Sequence, residues 1–175
     1  TNSGVADTNS CFALTDKKLG TKGISAFVVP LKDEEGNAYP GVTVSENIKR
    51  MGIRAASNCE VSYENVRVPA ANRLGKEGAG FKIAMKALDG GRIGIAAQCV
   101  GLAQGALNEA MAYVKERKQF GRPISAFQTT QFKLADMQTK IDAARLMTWR
   151  AACIKDAGEN YGPAAAMAKL FASDM

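Results

Sequence analysis

The sequence predicts an α+β protein in which β-strands come first and long helices follow. Over residues 1–72, apolar residues occur in short β-branched or alternating runs that turn residues separate. From about residue 78 they recur every three or four residues, which is the period of a helix. The 175 residues, 46% of them apolar, suffice for one ordinary domain or two small ones. We therefore expect a β domain over residues 1–72 and a helical domain over residues 73–175.

Four segments of the first part are predicted strands: residues 11–16, 24–30, 42–48 and 58–69. In the last of them Cys59, Val61 and Tyr63 alternate with polar residues, as a strand with one buried face requires. The segment at 32–41 is a loop by composition. A second glycine-containing segment, "GKEGAGF" at 75–81, precedes the first helix and is interpreted as a loop-to-helix turn, with phosphate binding as the alternative.

The first predicted helix contains two adjacent glycines, in the stretch "ALDGGRIGIAAQ" at residues 87–98. Glycine in a helix interior costs about 1 kcal/mol relative to alanine, so Gly90 and Gly91 predict a break in the helix. The break is either a kink that Asp89 caps or a place where a ligand passes close to the backbone. The helix resumes with Arg92 and is expected to end near Lys118. Further along it, the spacing of Gly101 and Gly105 favours tight packing against another helix.

Two further helices follow the segment "GRPIS" at residues 121–125. Ser125 and Gln128 have the spacing of a capping box at the start of the second helix. The apolar stripe of that helix persists for about 30 residues, which favours a long antiparallel bundle. Gly158 ends it, and Pro163 suits the first turn of a third helix. Since that helix is still periodic at Met175, we expect the chain to be an internal piece of a longer protein.

Composition excludes several classes of site. The chain has no histidine, so it cannot build zinc sites that use histidine, Ser-His-Asp triads or Cys-His dyads. Its four cysteines show no CxxC spacing and are interpreted as reduced thiols. No apolar run approaches the ~20 residues of a membrane span. The net charge of +6 predicts an anionic partner without identifying it.

Basic residues cluster at the end of the first helix, in the sequence "KERKQFGR" at 115–122. Cations at the C-terminus of a helix interact favourably with the helix dipole, and each stabilises the helix by about 0.3 to 1 kcal/mol at exposed sites. The alternative is a phosphate or pyrophosphate clamp in which Arg117 donates hydrogen bonds and Phe120 offers a ring to a nucleotide. Both interpretations stay open at this point.

Four motifs in series resemble the acyl-CoA dehydrogenase family, and the short-chain or butyryl-CoA type most. They are "MGIRAASNCEVSYENVRVP", "GAGFKIAMKALDGGRIGIAAQ", "ERKQFGRPISAFQTTQFKLADM" and "RAACIKDAG". The resemblance implies that the chain comprises most of a middle antiparallel β domain and the first part of a C-terminal up-down four-helix bundle. It also implies that FAD is the cofactor, an acyl-CoA thioester the substrate and electron-transfer flavoprotein the partner.

The resemblance also implies roles for individual residues. Thr1 matches a threonine that contacts the flavin, and Arg117 and Gln128 match positions that bind the FAD of a neighbouring subunit, with Phe120 packed nearby. The segment Asp89, Gly90, Gly91 and Arg92 matches the one that lines the acyl-CoA site. No metal is expected.

The reaction that the resemblance implies is α,β-dehydrogenation of the thioester, in which a glutamate removes the α-proton and the β-hydrogen leaves as hydride to the flavin. One of the two positions that carry this glutamate in the family aligns with Gly91, which cannot take a proton. Glu77, Glu109 and Glu116 match neither position. We therefore expect the base beyond Met175 and no activity from the 175 residues alone.

The expected assembly is a homo-oligomer, a tetramer at full length, that binds neither nucleic acid nor a membrane. It is expected in the bacterial cytoplasm, or in the mitochondrial matrix if the source is eukaryotic. Two alternatives stay open: an acyl-CoA oxidase or other flavoenzyme of the same fold, and a basic helical interaction module that binds nucleic acid.

Overall fold

The computed structural model describes residues 1–175 and confirms the α+β order of the predicted elements. The chain divides into two compact units, Thr1–Ala84 and Met85–Met175. The division falls inside the first helix, twelve residues after the predicted domain boundary at residue 72, which stays a prediction. No helix combines the length and the apolar character that crossing a bilayer requires.

The first unit is built on a three-stranded antiparallel sheet and a separate two-stranded one. The larger sheet has the order β1 (Thr8–Leu14), β2 (Ile24–Pro30) and β5 (Arg73–Leu74), and the smaller one pairs β3 (Val42–Val44) with β4 (Val61–Tyr63). Short 3-10 helices lie at Lys17–Gly23 and Ala70–Asn72. The buried side chains of this unit belong mainly to β2, β3 and the residue that follows β2: Ala26, Val29, Leu31 and Val42.

A polar contact joins the two sheets of the first unit. Asn9 of β1 donates a hydrogen bond from Nδ2 to Tyr63 Oη of β4 at 3.1 Å, and its Nδ2 also lies 3.4 Å from Ser3 Oγ. Burial raises the pKa of the Tyr63 hydroxyl, and the nearby Cys11 thiol raises it further, although the bond from Asn9 acts in the opposite direction. Burial raises the pKa of Cys11 as well. The alternation predicted around Tyr63 is confirmed, since residues 59, 61 and 63 are partly buried and their polar neighbours are exposed.

The predicted strands at 42–48 and 58–69 are too long, because each supplies only three ladder residues. Between them the chain forms a loop whose ends are pinned, since the Ile48 amide donates to the Asn58 carbonyl at 2.8 Å and the Ser45 amide to the Glu60 carbonyl at 2.9 Å. Side-chain bonds reinforce the pair, from the Asn58 amide to Asn47 Oδ1 at 2.7 Å and from the Glu60 amide to Ser45 Oγ at 2.9 Å. The Ser45–Glu60 backbone bond continues the β3–β4 register, but the side-chain oxygens of Asn47 and Ser45 accept amides that a regular ladder would pair with backbone carbonyls.

The glycines at 75–81 form a loop-to-helix turn, as predicted. A Cβ at Gly80 would lie 2.6 Å from the Ser25 carbonyl carbon, and one at Gly78 would lie 2.4 Å from the Lys22 carbonyl oxygen. The Gly78 amide donates to Ser25 Oγ at 2.9 Å. Close packing against the start of β2 therefore requires these glycines, and the structure gives no reason to invoke phosphate here.

The second unit is an antiparallel helical array. It consists of α1 (Gly80–Glu116), whose first turn lies in the first unit, a hairpin of β6 (Lys118–Gln119) and β7 (Arg122–Pro123), α2 (Gln128–Asp156) and α3 (Gly162–Asp174). A short 3-10 helix at Ile124–Ala126 precedes α2. The helices meet through small residues, and the core is formed by Ala96, Val100, Leu107, Ile141, Ala144, Ala151, Ala168 and Ala172. The small side chains of α2 and α3 let the axes of these two helices approach closely.

The helix ends near the predicted positions. α1 ends at Glu116, two residues before the predicted Lys118, and α2 ends at Asp156, with Gly158 at a φ of +76°. A positive φ after a helix end favours glycine. Pro163 lies in the first turn of α3, as predicted. The tight packing predicted at Gly101 and Gly105 is absent, since a Cβ at either position would meet no atom of this chain within 4 Å.

Candidate functional site

The segment Asp89–Arg92 lies inside α1, and the predicted break in the helix is wrong. Hydrogen-bonded helix continues without interruption from Gly80 to Glu116. Two glycines together oppose the helix by only about 2 kcal/mol relative to alanine, and cooperative helix on both sides outweighs that cost. The unbroken backbone carries Asp89 and Arg92 on one face, three residues apart, where their side chains form an ion pair.

Asp89 also faces the start of α3. A Cβ built on Gly162 would lie 3.5 Å from Asp89 Oδ2, and Gly162 is the first residue of that 13-residue helix. A carboxylate near a helix N-terminus is stabilised by the helix dipole. The Asp89 carboxylate therefore lies between the Arg92 guanidinium and the positive end of α3, and it is about one third exposed.

The two glycines of the segment have different surroundings. A Cβ at Gly90 would lie 3.9 Å from Tyr161 Oη and 4.0 Å from Lys155 Nζ, both in the region that joins α2 to α3. A Cβ at Gly91 would meet nothing within 4 Å. Position 91 therefore opens onto free space, while position 90 faces a recess that the α2–α3 connection lines. No sequence pattern links Lys155 or Tyr161 to this segment, since both lie more than 60 residues away along the chain.

The second candidate region is the hairpin between α1 and α2. β6 and β7 are joined by Phe120 and Gly121, which have φ values of +51° and +76°. Positive φ at both central residues is the signature of a type I′ turn, for which Asn-Gly is a favoured sequence. Phenylalanine in this conformation is strained and uncommon. A residue that is unfavourable for the turn itself is a candidate for a role in binding.

The hairpin presents aromatic and cationic groups together. Phe120 is 92% exposed, and its ring packs edge-on against Phe127 with centroids 6.2 Å apart. The Arg122 guanidinium lies over the other aromatic ring, 4.3 Å from the Phe127 centroid. Four cations belong to this region, and none of them forms an ion pair: Lys115, Arg117, Lys118 and Arg122. Only Lys115 lies in the last turn of α1, so a favourable interaction with the helix dipole explains only one of the four cations.

Gln128 is exposed and is the first residue of α2, but the predicted capping box is wrong. The N-cap residue is Phe127, which makes no side-chain capping bond. Ser125 lies within the 3-10 turn at residues 124–126 and not at the N-cap of α2. Its carbonyl accepts a hydrogen bond from Gln131 Nε2 at 2.9 Å. The side-chain amide of Gln128 therefore does not make the capping bond that the sequence predicted for it.

The predicted site residues fall in both units, and those of the second unit form two separate groups. Thr1 belongs to the first unit, where its hydroxyl donates to Asn58 Oδ1 at 3.5 Å. Within the second unit, Arg92 and Arg117 are 25 residues apart along α1 and the turn that follows it, which corresponds to roughly 38 Å at 1.5 Å per residue. The Asp89–Arg92 segment and the hairpin therefore lie at separate ends of the second unit.

Comparison with known proteins places the chain among enzymes. The family described as "Acyl-CoA dehydrogenase, C-terminal domain" matches residues 78–175. The chain is 51% identical over 175 residues to the "Acyl-CoA dehydrogenase, short-chain specific" of Clostridium acetobutylicum, covering 100% of this chain and 45% of that protein.

Two solved structures agree closely with the chain. The butyryl-CoA dehydrogenase of Megasphaera elsdenii matches with a TM-score of 0.93 at 48% identity, over 99% of this chain and 44% of that one. A structure described as "Electron transferring flavoprotein of Acidaminococcus fermentans" matches with a TM-score of 0.92 at 52% identity, over the same shares. The chain thus spans less than half the length of the proteins it matches.

Proposed function

The chain belongs to the acyl-CoA dehydrogenase family, and we propose that the protein carrying it dehydrogenates a short-chain acyl-CoA thioester to the trans-2-enoyl-CoA. The observation that carries this proposal is the similarity of the whole chain to relatives whose names specify short-chain or butyryl-CoA substrates. The same names restrict the proposed acyl chain to short lengths.

FAD is the proposed cofactor, and the residues of the hairpin fit it. Arg117 and Gln128 offer a guanidinium and an amide without side-chain partners in the chain, next to the exposed ring of Phe120. Guanidinium groups bind pyrophosphate in a fork geometry, and an aromatic ring stacks on a flavin or an adenine. When bound, FAD supplies the acceptor for the two electrons that leave the acyl chain.

Arg117, Phe120 and Gln128 bind FAD that belongs to a neighbouring subunit in this proposal. The separation between the hairpin and the Asp89–Arg92 segment supports this, because one chain presents the two regions at different ends of its helical unit. Thr1 is proposed to contact the flavin from the first unit. The assembly is proposed to be a homo-oligomer, a tetramer at full length.

The segment Asp89–Arg92 is the proposed acyl-CoA site. Asp89 holds the Arg92 guanidinium in place, and the missing side chain at Gly91 leaves space for a thioester chain beside the helix. Tight positioning of substrate against the reacting groups is the main contribution that such residues make to the rate. Because position 91 carries no carboxyl group, the proton-abstracting glutamate is proposed to come from outside these 175 residues.

Electron-transfer flavoprotein is the proposed electron acceptor, consistent with the description of the Acidaminococcus fermentans structure. We place the protein in the bacterial cytoplasm, or in the mitochondrial matrix of a eukaryote. An acyl-CoA oxidase of the same fold would instead pass its electrons to oxygen.

The test uses the purified full-length protein. It is expected to be yellow, and butyryl-CoA added without oxygen should bleach its flavin absorption. Electron-transfer flavoprotein should then restore turnover, whereas rapid peroxide formation in air would favour the oxidase. An Arg117→Ala variant should lose FAD more readily, and a Lys140→Ala variant, altered at an exposed position of α2, should retain it. A colourless protein that does not bind FAD would refute the proposal.

A further inference from the structure

A basic concavity lies in the first unit, on the loop between β3 and β4. It has a volume of about 410 Å³ and is lined by Asn47, Ile48, Lys49, Arg50 and Arg54. Three of the five lining residues are cations, and none of them forms an ion pair. The sequence contains no Asp or Glu between Glu46 and Glu60, so the loop carries no acid that could neutralise them. A concave surface with a net charge of three is suited to a small anionic group.

The loop that carries these cations is held in shape. Its ends are joined by the backbone bond from Ile48 to Asn58. Its interior is braced by Arg50, whose Nη2 donates to the carbonyl oxygens of Ile53, at 2.9 Å, and Ala56. Ile53 adopts a φ of +50°, an unfavourable conformation for a β-branched residue, which persists only where surrounding bonds impose it. Arg54 follows directly, so its position depends on this braced turn.

Donors remain available at the concavity after these internal bonds. Arg50 Nε is buried and has no hydrogen-bond partner. Lys49 and Arg54 are exposed and make no side-chain hydrogen bond or ion pair. The open donors are therefore those of the Lys49 ammonium and the Arg54 guanidinium, and the partly buried Arg50 contributes its charge beside them.

We propose that this concavity binds a phosphate group. A phosphate dianion carries two negative charges and three acceptor oxygens, which match the open donors of Lys49 and Arg54 beside the charge of Arg50, whereas a carboxylate offers fewer acceptors. The group comes either from inorganic phosphate or from an organic phosphate monoester. The proposal concerns residues of the first unit that the dehydrogenation proposed above does not use.

The test measures broadening of the ³¹P resonance of inorganic phosphate by the FAD-saturated protein, at constant ionic strength because exposed charges are screened by salt. The matched pair is K49Q/R54Q and K17Q/K18Q, which remove the same charge from the same unit. Lys17 and Lys18 lie in the 3-10 helix that follows β1, away from the concavity. Both variants leave the bracing residue Arg50 unchanged, and near-ultraviolet circular dichroism verifies their fold.

Wild type and K17Q/K18Q should bind phosphate saturably with equal affinity, and K49Q/R54Q should bind at least fivefold more weakly. R54K, which keeps the charge but loses the fork, should lie between them. Repeating the titration with glycerol 3-phosphate distinguishes the sources, since a gain over inorganic phosphate indicates an organic monoester and equal affinity indicates the free ion. Equal binding by wild type and K49Q/R54Q, or no saturable binding by wild type, would overturn the proposal.

Discussion

At the scale of single residues, the glycine pair of α1 occupies helical positions where packing within the chain does not require glycine. Both residues lie in regular helix, where alanine is the better residue by about 1 kcal/mol. Neither position is crowded by backbone, since a Cβ at 90 meets only side-chain ends at ordinary contact distance and a Cβ at 91 meets nothing. Packing within the chain therefore does not require glycine at either position, and substrate access is the proposed reason for both.

Replacing these glycines should separate stability from function. Gly91→Ala should raise the free energy of unfolding by up to about 1 kcal/mol, because alanine favours the helix and meets no atom there. The same change should raise the KM for butyryl-CoA if the acyl chain passes close to position 91. Gly94→Ala is the matched control, because a Cβ there also meets nothing within 4 Å. It should stabilise α1 equally, and an equal effect of both variants on KM would contradict the assignment of Gly91.

Tyr63, again a single residue, makes a contribution to the free energy of unfolding that depends on pH. Its pKa is raised in the folded protein, chiefly by burial, so the folded state favours the neutral hydroxyl. The unfolded chain then loses this proton first as the pH rises through about 10. The stability that this group contributes is present below pH 10 and is lost above it, as the pH passes the higher pKa of the folded state.

Tyr63→Phe should remove that part of the alkaline loss of stability. It also removes the acceptor of the bond from Asn9 that joins β1 to β4, at a cost of about 1 kcal/mol near pH 7. Urea unfolding at pH 7 and pH 10.5 measures both effects. Tyr39→Phe, which removes a hydroxyl that donates a long 3.4 Å bond to the Arg67 carbonyl, is the control for the loss of a tyrosine hydroxyl at pH 7. A wild-type alkaline loss that persists in Tyr63→Phe would contradict the account.

At the scale of elements, the α1–α2 hairpin combines an unfavourable turn residue with an exposed ring. Type I′ turns favour asparagine and glycine because both tolerate positive φ. Here Phe120 takes the first central position without burying its side chain, so the chain gains little packing in return for the strain. The Phe120 ring packs edge-on against Phe127, and the Arg122 guanidinium lies over the Phe127 ring. These contacts hold the Phe120 ring in place.

Phe120→Asn therefore should leave the bundle as stable as the wild type, or more so by about 1 kcal/mol, while weakening FAD binding. Thermal unfolding of the protein with and without added FAD measures the two effects separately. Gly121→Ala serves as the counterpart, because a Cβ at that position meets no atom but the φ of +76° is unfavourable for alanine. It should cost about 1 kcal/mol. Unchanged FAD affinity in Phe120→Asn would remove Phe120 from the proposed site.

At the scale of the whole molecule, the helical unit depends on small residues where its helices meet. Ala144, Ala151 and Ala168 are completely buried in the core that α1, α2 and α3 share. A larger side chain there must displace a helix. By contrast, Gly101 and Gly105 line a concavity with the exposed Trp149, and nothing in this chain packs on it. Such a surface is consistent with the proposed homo-oligomer.

Ala144→Leu should destabilise the helical unit by about 1 to 3 kcal/mol through overpacking. Ala135→Leu, which adds the same side chain at an exposed position of the same helix, should change the free energy of unfolding by less than about 0.5 kcal/mol. Chemical denaturation followed by circular dichroism at the helical band gives both values. Similar losses in the two variants would show that burial in this core does not decide the cost.

Local patterns in the sequence were sufficient for the order and type of the elements. The periodicity of apolar residues identified β2, α1, α2 and α3, and Gly158 and Pro163 marked the boundary between the last two helices, because these signals reside in residues close together in the chain. The motifs around Asp89 and Phe120 were likewise sufficient to select both candidate regions. These features depend on neighbouring residues alone, so a linear sequence contains them.

The tertiary structure decided what neighbouring residues could not. It kept α1 continuous through Gly90 and Gly91, since cooperative helix on both sides outweighs the cost of two glycines. It shortened β3 and β4, because Asn47 Oδ1 and Ser45 Oγ accept the Asn58 and Glu60 amides that a regular ladder would pair with backbone carbonyls. It also moved the start of α2 to Gln128, with no capping box. It also placed Lys155 and Tyr161 beside Gly90 and gathered the cations of the 47–54 loop around one concavity. Contacts between distant residues and the conformation of turns determine these features, and no local propensity encodes either.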